Sequence, residues 1–126
     1  MQFGYTILYV PDVKASLAFY QAAFGFQTRF LSEGAEFGEL ETGSTRLAFC
    51  SRALLEQMGK TPQAPDADRP CSEIALCTAD VPAALERAVA AGATLKQAAQ
   101  TMSWGQTVAY VADPDGFLIE LCTPMG

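Results

Sequence analysis

Asp12 opens a pattern that the chain writes twice. A shift of 68 residues carries Asp12 onto Asp80, Val13 onto Val81 and Leu17 onto Leu85. An internal repeat of this kind means that one supersecondary unit is used more than once. In the first copy, YTILYV (5–10) is β-branched and aromatic, as a strand requires. Asp12 then caps a helix whose apolar residues Val13, Leu17, Tyr20 and Phe24 recur at helical spacing, and Gly25 ends it. Strands follow at 26–32, 36–41 and 45–50, with turns at Glu33-Gly34 and Gly43-Ser44. In the second copy, EIALCT (73–78) is a strand, Asp80 a cap, and VPAALERAVAAG a helix ending at Gly92. Strands near 93–98, 106–112 and 117–122 complete it, the last two joined by Asp113-Pro114-Asp115-Gly116. Each half reads βαβββ, so the chain is an α+β protein of two modules, about 1–50 and 72–126. The linker at 51–71 holds one short helix in SRALLEQMG and then the connector TPQAPDADRP. Helices on one face of each sheet leave the other face free for a ligand or a partner.

The 126 residues are 50% hydrophobic, enough for a real core, and only 17% charged. The low charge content leaves apolar surface for a pocket or an interface. A formal charge of −6 speaks against nucleic acid and anionic membranes as partners; it suits a cationic small molecule, but mild acidity is first of all an ordinary property of soluble proteins. No apolar run approaches bilayer length, and MQFGYTILYVPDVK lacks the basic start of a signal peptide. The expected location is therefore the cytoplasm, with Cys50, Cys71, Cys77 and Cys122 reduced and acting as small buried hydrophobes. There is no histidine, which excludes Ser-His-Asp and Cys-His catalysis and removes the commonest transition-metal ligand.

Strand alternation sorts the remaining candidates. Tyr5, Ile7 and Tyr9 share one row; Arg46, Ala48 and Cys50 another; Glu73, Ala75 and Cys77 a third; Leu118, Glu120 and Cys122 a fourth. Glu73 and Glu120 either point to water or, given their apolar row-mates, sit on a partly enclosed face. An enclosed carboxylate needs a partner. Arg46 is one partner and a cationic ligand is another.

The segments YTILYVPDVKASLAFYQAAFGF and WGQTVAYVADPDGFLIELCTP, on a duplicated βαβββ frame, resemble the vicinal oxygen chelate superfamily of glyoxalases, bleomycin-resistance proteins and extradiol dioxygenases. The resemblance covers nearly the whole chain and is weakest across 51–70. It implies curved mixed sheets around a cleft, with the helices on the outer face. It also implies four metal-binding positions in the enzymatic members, here Tyr5, Ala48, Glu73 and Glu120. Alanine cannot bind a metal and a neutral phenol binds poorly, so a catalytic zinc or iron centre is not expected.

What remains is a likeness to the metal-free bleomycin-resistance and mitomycin-binding type, carried at Trp104-Gly105. There the indole stacks on a planar ligand and two subunits pair. A lone tryptophan is otherwise a core or interface anchor. The expected function is metal-independent binding and sequestration of a small molecule, such as a cationic or planar drug, by a homodimer without cofactor. Tyr5, Arg46, Glu73, Trp104 and Glu120 are the expected ligand contacts. The alternatives are an enzyme of the same superfamily, either a lyase or isomerase assisted by a divalent metal at Glu73 and Glu120 or one moving a proton through a glutamate without metal, and a structural or interaction module whose cleft has closed.

Overall fold

The structure, a computed structural model, describes residues 1–125. The chain divides into two compact units, Met1–Ala64 and Pro65–Gly126, and each is built on one four-stranded mixed sheet. The first unit contains β1 (Tyr5–Val10), α1 (Val13–Phe24), β2 (Thr28–Leu31), β3 (Phe37–Leu40), β4 (Arg46–Ser51) and α2 (Arg52–Gln57). Its strand order is β1-β4-β3-β2. The β1/β4 pair is parallel and the others are antiparallel.

Local chemistry sets the helix. The Asp12 carboxylate accepts from the Ala15 N–H at 3.1 Å, satisfying a donor that the first turn cannot pair. Gly25 takes the left-handed conformation (φ 81°) and donates its N–H to the Gln21 carbonyl. Val13, Leu17, Tyr20 and Ala23 bury one face of α1 over Leu8, Val10, Leu40, Leu47 and Phe49 of the sheet. The Tyr20 and Phe49 rings lie 5.0 Å apart at the centre of this core. Gly38 lets the helix approach: a Cβ there would stand 2.9 Å from both Leu17 Cδ1 and Val13 Cγ1.

The second unit repeats the plan with β5 (Ile74–Cys77), α3 (Val81–Ala90), β6 (Thr94–Thr101), β7 (Thr107–Ala112) and β8 (Leu118–Cys122), in the order β5-β8-β7-β6. Asp80 caps α3 by accepting from the Ala83 N–H, with proline in the first turn where no donor is missed. Val81 and Ala88 pack inward, and Ala109, Val111, Ile119 and Leu121 supply the sheet side of the core. Pro65 belongs with this unit, its carbonyl lying against Gly116 in the Asp113–Gly116 turn. Asp68 pairs with Lys96.

Most strands start or end a residue or two inside their expected bounds, and two boundaries in the second unit shift for identifiable reasons. The second helix ends at Ala90 with Ala91 as cap, because Gly92 at φ 118° already leaves the helical region. β6 runs on to Thr101, where Gln100 and Thr101 pair with Val108 and Thr107. Polar and alanine residues with weak strand preference are held there by the hairpin rather than by their own propensity. The cysteines also divide. Cys50 and Cys122 are buried as expected, but Cys71 and Cys77 are exposed. No helix of the described residues is long and apolar enough to cross a membrane.

Candidate functional site

The expected site residues lie on the sheet faces opposite the helices, or in the loop beside them, and the two faces are built differently. On the first unit, Tyr5, Ile7 and Tyr9 project from β1 with 44%, 39% and 38% of their surface open, while Leu8 and Val10 point into the core. Register places Tyr5 beside Arg46, Ile7 beside Ala48 and Tyr9 beside Cys50. Tyr5 and Phe37 meet edge-on at 6.1 Å, and Phe37 and Phe30 at 6.5 Å. Aromatic edges and faces at this spacing offer a surface for flat, apolar groups.

Glu39 lies within this face, in register with Ala48, and sequence reading passed over it. It is buried to 7% exposure, and its Oε2 has no hydrogen-bond partner among the described residues. Charge compensation comes from Arg29 Nε at 3.4 Å and Arg46 Nε at 3.9 Å. Arg29 reaches it because β2 carries a bulge: Thr28 faces Leu40 and Phe30 faces Glu39, leaving Arg29 as the extra residue. Arg46, expected from the sequence to orient Glu73 or Glu120, has its ion pair here with Glu39. The FGEL segment carries no sign of this, because the pairing depends on the bulge.

On the second unit, Glu73 precedes β5, and Glu120 stands on β8 beside Ala75 on one side and Tyr110 on the other. Glu73 lies close enough to Glu120 to act on its ionisation. The Glu120 pKa is raised by burial first and then by its interaction with the neighbouring Glu73 carboxyl group. The Tyr110 phenol is pushed up by burial first and then by the charges of Glu120 and Glu73. Tyr110 is the second residue that sequence reading missed, since only the β7/β8 register sets it against Glu120. Cys77 and Cys122 lie one step along the same face, their sulfurs 3.9 Å apart.

Trp104 occupies the turn between β6 and β7, where Gly105 donates its N–H to the Met102 carbonyl. The indole is 61% exposed, and its Nε1–H donates to Gln106 Oε1 at 2.9 Å. Gln106 in turn donates to the Thr123 carbonyl at 2.8 Å, so the ring is tethered at the end of β8. It is an exposed platform and not a core anchor. Glu120 lies three residues short of Thr123, roughly 10 Å along the strand. A cavity of about 350 Å³ at the start of α3, lined by Asp80, Pro82, Gln100, Thr101, Thr107 and Thr123, contains none of the expected residues.

These residues do not fit a divalent metal. Ala48 offers no donor, and the carboxylate beside it is held by two guanidiniums whose charge repels a cation. Glu73 and Glu120 are two ligands at most. No group of three or more His, Cys, Asp or Glu among the described residues could hold an ion.

Comparison with known proteins supplies the context. The family model described as Glyoxalase/Bleomycin resistance protein/Dioxygenase superfamily matches residues 2–121. A glyoxalase-related enzyme from Fulvimarina pelagi is 28% identical, with a TM-score of 0.83 over 99% of this chain and 92% of its own. A protein of unknown function from Agrobacterium tumefaciens str. C58 is 29% identical, with a TM-score of 0.78 over 99% and 95%. A glyoxalase/bleomycin resistance protein/dioxygenase family enzyme from Burkholderia phytofirmans PsJN is 26% identical, with a TM-score of 0.76 over 96% and 97%. No curated protein matches the chain.

Proposed function

The chain belongs to the Glyoxalase/bleomycin resistance protein/dioxygenase superfamily, and from that premise we propose that it binds a small molecule without the help of a metal ion. The observation that carries this reading is the Glu73–Glu120–Tyr110 cluster on the open face of the second sheet. Two carboxyl groups brought together by parallel strands cannot both ionise cheaply, and a proton relieves them for lack of a better partner. A cationic group of a ligand is that better partner, since it neutralises the pair and releases the proton. Trp104, exposed and tethered, offers stacking to a planar part of the same ligand. On the first unit's own face, Tyr5 and Arg46 add an aromatic ring and a half-exposed guanidinium. The same reading takes the protein to work in the cytoplasm as a homodimer, which light scattering tests.

One specific feature favours a second reading, a metal-free enzyme. A carboxylic acid that keeps its proton above its ordinary range is a general acid in waiting, and Glu120 is in that condition. A divalent-metal-assisted enzyme has no such support, because the residues do not assemble a site.

The chain has a single tryptophan, so its fluorescence reports Trp104 alone. Titration with planar cationic compounds, including a bleomycin-type glycopeptide, is expected to quench it and raise the melting temperature. At a hundredfold excess over Kd the gain in stability is about 2.7 kcal/mol. Ligand recovered unchanged by mass spectrometry supports sequestration, and ligand recovered as product supports the enzyme. Neither quenching nor a thermal shift across the panel would sink the binding reading.

A further inference from the structure

Cys77 and Cys122 are Cα partners on adjacent parallel strands, and both point to the face away from α3. Their sulfurs lie 3.9 Å apart, and both are free thiols. β5 is an edge strand and Cys77 is exposed, whereas Cys122 is buried behind it. From this geometry we infer that Cys77 and Cys122 form a two-sulfur site for a soft monovalent cation, Cu(I) in chemical class.

The spacing decides between the uses of a thiol pair. A disulfide needs the sulfurs to close from 3.9 Å to about 2.05 Å between directly opposed residues of a rigid sheet. A near-linear S–metal–S unit with bonds of about 2.3 Å sets the sulfurs about 4.6 Å apart, so the pair opens by about 0.7 Å through side-chain rotation, a smaller change than a disulfide demands. The ligand count then decides between metals. Zinc asks for four ligands in a structural site, and no cluster of three or more ligating residues exists among the described residues. Cu(I) is soft, prefers thiolate sulfur, and is satisfied by few ligands. Binding exchanges two thiol protons, released to solvent, for one Cu⁺. No redox change occurs, and the bis-thiolate complex carries a single negative charge. An ion enters from the solvent side at Cys77 and seats against the sheltered sulfur of Cys122. This site uses neither Trp104 nor the carboxyl pair as a ligand, although it lies on the same sheet face as Glu120.

The test is anaerobic titration of the reduced, full chain with Cu(I) held by the chromophoric chelator bicinchoninate. The wild type is expected to withdraw one Cu(I) per chain, with X-ray absorption showing a sulfur-only first shell. Cys77→Ser, at an exposed position, should keep the far-UV circular dichroism and melting temperature of the wild type. It should nonetheless lose affinity about tenfold or more, which is at least about 1.4 kcal/mol. Cys71→Ser should retain the wild-type affinity. The inference is overturned if the wild type withdraws no copper, if folded Cys77→Ser binds as tightly as the wild type, or if Cys71→Ser abolishes binding.

Discussion

Glu39 and its two arginines are asymmetric, and that asymmetry can be tested by mutation. The carboxylate is buried, with a side chain 9% exposed, while the side chains of Arg29 and Arg46 are each 41% exposed. At 3.4 Å and an effective dielectric near 20, the Arg29–Glu39 attraction is on the order of 5 kcal/mol before desolvation and side-chain ordering are subtracted. Removing both cations, as Arg29→Gln with Arg46→Gln, strands a buried charge whose Oε2 already lacks a hydrogen bond. The expected loss is about 3–5 kcal/mol. Removing the anion, as Glu39→Gln, instead leaves Arg29 paired with Glu41 at 3.5 Å and lets the half-exposed Arg46 turn into water. That loss is about 1 kcal/mol, in the range of an exposed ion pair. Urea unfolding at pH 7, followed by far-UV circular dichroism, measures both. The double arginine variant should unfold at clearly lower urea than Glu39→Gln, with an unchanged m-value. If Glu39→Gln proves as damaging as the double variant, Glu39 is not the buried partner and the compensation argument fails.

The carboxyl pair should leave a signature in pH. Because the folded pKa of Glu120 is raised above 4.5, the native state holds its proton over a range where the unfolded chain has released it. Its contribution to stability is full below about pH 4.5 and is lost as pH rises through the folded value. Glu120→Gln cannot titrate, so its stability relative to wild type should climb as pH rises above about 4.5 in thermal melts; a flat difference would contradict the raised Glu120 pKa. In the Asp113–Gly116 turn, Gly116 has φ 102°, and a Cβ there would stand 3.0 Å from the Pro65 carbonyl oxygen. Gly116→Ala should therefore cost about 1–3 kcal/mol in chemical denaturation, and a neutral result would show that the 65–68 connector yields freely.

Much of the fold could be read directly from the residues. The caps at Asp12 and Asp80, the stop at Gly25 and the Asp-Pro-Asp-Gly turn are short-range devices, formed by groups within a few residues of one another. The rows Tyr5/Ile7/Tyr9 and Leu118/Glu120/Cys122 were equally legible, since strand alternation has a period of two and no free parameter. Site legibility stopped at single strands. The ion pair of Arg46 with Glu39 is not legible there, because a charge on one strand says nothing about which charge the next strand brings beside it. Tyr110 and Glu39 escaped notice for the same reason.

By itself, the sequence determined the class of structure and the list of available chemistries. A 68-residue repeat of cap, helix and strands fixes two βαβββ units, and the absence of histidine with alanine at position 48 removes the usual metal ligands. Tertiary structure alone decided the pairings: Glu73 with Glu120 and Tyr110, Glu39 with Arg29 and Arg46, Cys77 with Cys122. Periodicity is a property of one strand and survives in the sequence. Register is a property of two strands, and a bulge of one residue, such as that at Arg29, resets it.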